Sequence, residues 1–463
     1  MAPARPNRVL VLTADTVGAS MAGPAIRSVE LATVLAAEST VTLASAHPVD
    51  RDVPGVRTAQ FRGEADLRRL VADADVVLGM AGLIHEHPWI GEPDGLGPGS
   101  PAGRGPAVIV DAYDPVLFEV LELFADGDRS TRHATAADAM ARMVEPLRRA
   151  DLVLVASERQ RHLVLGMLTA LGRVNVDTYD ADPTLDRLVA VVPFGLPDGP
   201  PDAGDVHPLK GADGPFSPDD FVLFWGGGLY QWLDPVTMIE GIAALDDPTV
   251  KAFVLAGAHP TPAVPAMEMA GRARRRATEL GLAGTQVVFA EDWIAYDERA
   301  AWLLDADVSV SLHRRHIETT FAFRTRLLDS LWAALPIVCS DGDTLADLVR
   351  RDGLGVVIPP GDAAAFADAV VRLRDPHCYS DARRALQQLA PSYTWAKVAL
   401  PIVEFCRRPT ISPDRAARGP ARSEPFGARV ARSGRALARR GRALVRRPHA
   451  GTDEPRSPHR EQL

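Results

Sequence analysis

Cysteine is nearly missing from this 463-residue sequence: Cys339, Cys378 and Cys406 are the only three, and their spacing suggests no pairs. That argues against a disulfide-built scaffold or a zinc module and for a reducing cytoplasm. Long apolar runs are missing as well. None approaches the ~18 residues that a bilayer-spanning helix needs. The first run, Val9 to Leu12, is too short for a secretory signal and reads as a strand. The protein is therefore expected in the cytoplasm, at most peripheral on the inner face of the cell membrane. A third absence lies in the loop after that strand, Gly18-Ala19-Ser20-Met21-Ala22-Gly23-Pro24, which does not spell Gly-x-Gly-x-x-Gly. No acidic residue closes the next strand, Val41 to Ala44, either. A dinucleotide-dependent dehydrogenase is disfavoured on both counts.

Charge is unevenly distributed. The net charge is −9, yet from Arg407 onward 15 Arg and no Lys stand against five Asp plus Glu, so the end of the chain is about +10 and the body about −19. Residues 407–463 are mostly Arg, Ala, Gly, Pro and Ser and read as a disordered basic tail. Within it, Ala428 to Arg447 carries Val430, Leu437 and Leu444 seven residues apart. It is either a solvated tail or a basic helix for an anionic membrane surface, where each Arg adds ~1 kcal/mol. No aromatics interleave the Arg, which disfavours nucleic acid as a partner.

The body reads as two α/β halves, a size suited to two cores. In the first, Arg8–Leu12, Val41–Ala44, Ala74–Leu78, Ala107–Asp111, Ala150–Glu158 and Leu188–Pro193 read as strands separated by helical periodicity or turn residues. Asp198–Asp220 is rich in Pro and Gly and reads as a linker. The pattern restarts with Phe221–Trp225, and Gly226-Gly227-Gly228 directly follow. Three glycines after a strand let a backbone approach a ligand closely, and their N–H groups suit a diphosphate.

The second half centres on Asp305–Pro360. A buried strand leads into a loop with His313, Arg314, Arg315, His316 and Glu318; a helix is expected from about Arg324 to Ala334, and a strand, Pro336–Cys339, follows. In a parallel sheet this loop lies beyond the carboxyl end of the strand, where ligands bind. It carries four Arg (314, 315, 324 and 326), and Asp329 sits three residues past Arg326 on the same helical face. Cations followed by a carboxylate one turn later suit a ligand with phosphates at one end and a sugar hydroxyl at the other. Nucleotide-sugars have that shape.

Thr325-Arg326-Leu327-Leu328-Asp329, followed after seven residues by Pro336, resembles the donor-site signature of the group 1 glycosyltransferases, which have the GT-B fold. The Gly23–Ala32 segment resembles the N-terminal donor-facing loop of the same family. The resemblance covers roughly Arg8 to Phe405. It implies two Rossmann-like, doubly wound domains facing a central cleft: an acceptor-side domain over 1–197, a linker over 198–220, a nucleotide-sugar domain over 221–393, a crossover helix over 394–406 and the tail beyond.

It further implies a hexosyltransferase-type enzyme of cell-surface polysaccharide biosynthesis, retaining, with no metal or cofactor, and with a glycan, lipid-linked or small-molecule acceptor. Arg326 stands where a cation meets the donor diphosphate, and Asp329 where a Glu binds ribose. His85, with His87 second, is the candidate for touching the transferred sugar. Gly23, Arg27, Gly226, Gly227, Gly228, Trp293, Arg324, Thr325 and Glu318 are the candidate donor contacts. Asp111 and Asp114 either bind hydroxyls or, for Asp114 the favoured reading, cap the helix that follows.

Three departures stand out. Phe321 occupies the place of a family Glu, Asp329 is one methylene short, and no Lys follows the three glycines. A sugar-nucleotide epimerase of the same fold and a non-catalytic partner of another transferase are the alternatives.

Overall fold

In the computed structural model, described here over residues 5–92, 105–257 and 267–416, the chain folds into two parallel sheets flanked by helices. The first has seven strands, β1 (Arg8–Thr13), β2 (Thr40–Ser45), β3 (Val56–Gln60), β4 (Val76–Met80), β5 (Ala107–Asp111), β6 (Leu152–Val155) and β7 (Val189–Val191), ordered β3-β2-β1-β4-β5-β6-β7. The second has six, β8 (Phe221–Trp225), β9 (Val250–Leu255), β10 (Val287–Ala290), β11 (Val308–Ser311), β12 (Ile337–Ser340) and β13 (Gly355–Ile358), ordered β10-β9-β8-β11-β12-β13. Central strands such as β6 and β12 are buried on both faces, which is why they read as continuous apolar runs.

Strand order reverses between β1 and β4 and again between β8 and β11. The loops leaving those pairs diverge and open a crevice in each lobe. The glycine loop after β8 and the Arg-bearing segment after β11 are therefore neighbours, although about 100 residues separate them.

The chain crosses between the lobes twice, side by side. Leu196 N donates to Tyr393 O at 2.8 Å, and Trp395 N donates to Leu196 O at 2.9 Å. Phe194, Leu196, Trp395 and Ala399 belong to one apolar cluster that also holds Val9 and Leu31 of the first lobe and Leu327 and Ile337 of the second. A side chain at Gly195 would lie 2.6 Å from the Trp395 ring, so the crossing demands glycine there.

Several expectations need adjustment. The helix expected from Arg324 is only Arg326–Trp332, because Arg324 is drawn into a buried ion pair, and a separate short helix, Ile317–Phe321, precedes it. The helix after Pro115 has no side-chain cap, so Asp114 does not cap it. The expected crossover helix is two, Trp395–Val398 and Leu400–Arg407, with Pro401 in the first turn of the second. They pack against the Gly23–Ala36 helix, and the second also meets β7.

Residues 408–416, read as the start of a solvated tail, are bound to the first lobe. Asp414, 2% exposed, receives a bidentate pair from the fully buried Arg173 at 2.5 and 3.0 Å, and Ser412 N donates to Asp151 Oδ1. The stretch 428–447 lies outside the described residues. No helix among the described residues is long and apolar enough to cross a membrane.

Candidate active site

A cavity opens between the lobes at the two reversal points. One end of it is built by Gly226–Gly228 and Arg326. Gly227 has φ +100°, a conformation that favours glycine, and a Cβ there would come within 3.5 Å of the Arg326 guanidinium carbon. Arg326 begins its helix, donates from Nη2 to Gly228 O at 3.1 Å and lies 5.7 Å over the Trp225 ring. Its Nη1 is buried with no hydrogen-bond partner among the described residues. Burial, more than any neighbour, pulls its pKa down to about 10, leaving it charged at neutral pH. A buried, unmatched cation beside three flexible backbone units is a place for an anion.

One turn on, Asp329 opens onto the cavity with 41% of its side chain exposed and receives Arg299 Nε at 3.2 Å. Burial raises the Asp329 pKa, and Arg299 opposes the shift. The Arg299 guanidinium is sandwiched between the rings of Tyr296, at 3.7 Å, and Trp332, at 4.6 Å. Beyond this pair Leu255, Gly257, Asp292, Trp293 and Ile294 line the far end, and Met21, Gly23, Ile26 and Phe194 close the wall from the first lobe.

The first lobe also brings carboxylates toward Tyr230 of the second: Asp15, Asp114 and Glu119 all lie near enough to help raise the pKa of its hydroxyl, after burial itself. Burial raises Asp114 to about 7, with Asp111 adding and Tyr113 opposing. Glu119 is also pushed well up, by burial first and then by Asp114 and Glu318.

Of the residues singled out in the sequence, Gly23, Gly226, Gly227, Gly228, Trp293, Thr325, Arg326 and Asp329 line this cavity. The others do not. Arg27 is 1% exposed and bidentate to Asp111 at 2.5 and 3.1 Å, with further donations to Val192 O and Pro193 O; its guanidinium lies 5.0 Å over Tyr113. It is thus a core brace for the lobe crossing, and Asp111 is its counter-charge.

Arg324 and Glu318 form a buried bidentate pair at 2.8 and 2.7 Å, with Asp343 3.7 Å from Arg324 Nε. They stiffen the segment before Arg326 and do not face the cavity. His85 sits in the last turn of the Ala81–Glu86 helix, and His87 packs edge-on against Phe61 and Trp89. Neither lines the cavity. Phe321, in the place of the family Glu, stacks on Phe118 of the first lobe at 5.4 Å, and Gln160 Nε2 donates to its carbonyl at 2.7 Å.

Sequence reading missed Tyr296, Arg299, Tyr230 and Glu119. Arg299 lies 30 residues before Asp329 on another element, so no spacing could pair them.

Residues 221–375 match the family described as Glycosyl transferases group 1. Along nearly the whole chain the fold is similar to three solved structures. Sucrose-phosphate synthase from Thermosynechococcus elongatus has a TM-score of 0.59 at 16% identity, covering 87% of this chain and 98% of that one. Anabaena Alr3699/HepE in complex with UDP-glucose has a TM-score of 0.59 at 14% identity, covering 86% and 98%. WaaG, a glycosyltransferase involved in lipopolysaccharide biosynthesis, has a TM-score of 0.51 at 15% identity, covering 90% and 100%. No curated protein sequence matches the chain. The chain has the GT-B fold, and residues 221–375 of its second lobe are similar to the glycosyl transferases group 1 family.

Proposed function

We propose that the protein transfers a sugar from a nucleoside-diphosphate donor to a glycan, lipid-linked or small-molecule acceptor, with retention at the anomeric carbon and without a bound metal. The observation that carries this reading is Arg326 Nη1, buried and unpartnered beside Gly226–Gly228. As the glycosidic bond breaks, the electron pair stays with the diphosphate, whose charge grows. A preorganised guanidinium and backbone N–H groups stabilise that charge most in a site closed to water.

Asp329 would hold the ribose hydroxyls, and the aromatic and apolar far end would take the base. The UDP-glucose bound in the HepE structure supports a donor of this class. Retention and metal independence rest on the family resemblance. In that scheme a donor phosphate oxygen takes the acceptor proton.

The test is Arg326→Ala in the full chain. Transfer should fall by about 10²-fold or more, and thermal stabilisation by UDP, GDP, dTDP or CDP, whichever stabilises the wild type, should vanish. Unchanged transfer would remove Arg326 from the mechanism. Release of free nucleoside diphosphate with no acceptor present would favour the epimerase reading.

A further inference from the structure

Four side chains make an unbroken line from the cavity to the opposite lobe. Asp329 accepts from Arg299 Nε at 3.2 Å; Arg299 Nη1 donates to Tyr296 O at 2.6 Å while its guanidinium covers the Tyr296 ring. The Tyr296 hydroxyl then donates to Glu30 Oε1 at 3.0 Å, and Glu30 belongs to the Gly23–Ala36 helix of the first lobe. Two further contacts pin the same loop to that lobe. Tyr296 N donates to Ala19 O at 3.1 Å, and Arg51 grips Asp297 through two bonds of 2.7 and 2.9 Å.

This loop, residues 292–299, also contributes Asp292, Trp293, Ile294, Tyr296 and Arg299 to the cavity wall. The wall is irregular backbone with a single turn of 3-10 helix, Tyr296–Glu298. The second lobe holds it through Ile294, packed against that lobe's apolar cluster, and through Arg299, and the first lobe holds it through the contacts just given.

Resting on the donor reading above, we propose that Glu30 is a positioning residue for the donor, although it does not line the cavity. When the lobes meet, Glu30 fixes the Tyr296 hydroxyl. The Tyr296 ring and carbonyl fix Arg299, and Arg299 aims the Asp329 carboxylate. Capture of the donor and apposition of the lobes are then one event. Reciprocity follows: whatever a bound donor adds to the Glu30–Tyr296 contact, that contact adds to donor affinity. A static lobe contact would instead leave nucleotide affinity untouched.

The experiment is calorimetric titration of the full chain with the diphosphate of the panel UDP, GDP, dTDP and CDP that binds the wild type. Glu30→Ala, which removes the acceptor of the Tyr296 hydroxyl, should weaken binding about 5-fold or more. Tyr296→Phe, which keeps the ring over Arg299 and loses only the hydroxyl, should do the same. The double variant should be no worse than either single one, because both remove one contact. In turnover the loss should appear in donor KM, with kcat near wild type.

Wild-type affinity in Glu30→Ala, or losses that simply add in the double variant, would overturn the proposal and leave the donor reading standing. If none of the four diphosphates binds the wild type, the donor reading itself falls, and this inference with it.

Discussion

Asp114 shows how the site sets chemistry residue by residue. Removal from water lifts its pKa to about 7, and Asp111, itself held by Arg27, adds to the lift. The folded protein therefore keeps a proton on Asp114 between the ordinary carboxylate range and about pH 7, where the unfolded chain has lost it. Stability from this group is present at low pH and is lost as pH rises toward 7, the reverse of a salt-bridged Asp. Asp114→Asn should therefore melt higher than wild type at pH 8, by a few degrees (about 2–4 °C per kcal/mol in a domain of this size), and transfer should fall if the carboxylate binds a hydroxyl. An equal melting point at pH 8 would place Asp114 in water. Arg324 and Glu318 illustrate the opposite device: two buried charges that neutralise each other in the segment leading to Arg326.

At the scale of elements, the Arg326–Trp332 helix ends on a defect. Ala334, one residue past the C-cap, has φ +50°, where glycine is the usual choice. A Cβ in that conformation costs ~1–2 kcal/mol, partly offset by the greater freedom glycine has when unfolded. Ala334→Gly should accordingly stabilise by about 0.5–1 kcal/mol, read as a higher denaturant midpoint with an unchanged slope.

Elements were also where the sequence was most legible. Strands buried on both faces announce themselves as apolar runs, and glycines after β8 announce a backbone meant to approach something. That Arg326 and Asp329 share the cavity wall is legible because helical spacing places them on one face. Arg27, Arg324 and Glu318 sit in buried ion pairs and not in the cavity wall, a difference invisible in sequence because a charged residue near a cleft looks the same whether it meets a ligand or a buried partner. Arg27 finds its counter-charge 84 residues away, and only folding reveals that.

At the scale of the whole molecule, the last described residues complete the first lobe. Arg173 is fully buried, and its carboxylate partner, Asp414, comes from 241 residues further along. Asp414→Ala should cost about 3–5 kcal/mol, since it strands a guanidinium in the core. Thermal melting checks this, and a loss under about 1 kcal/mol would mean that Arg173 finds other acceptors or water. Composition alone assigned these residues to the tail because it counts every Arg and Asp as solvated.

The unpaired guanidinium of Arg326 has a consequence beyond turnover. A protein that hides a lone cation when empty is less robust empty than full, and mass action makes the difference grow with the concentration of whatever fills it. In a cell where misfolded copies are continually destroyed, the standing amount of this protein would rise and fall with the supply of the donor proposed above.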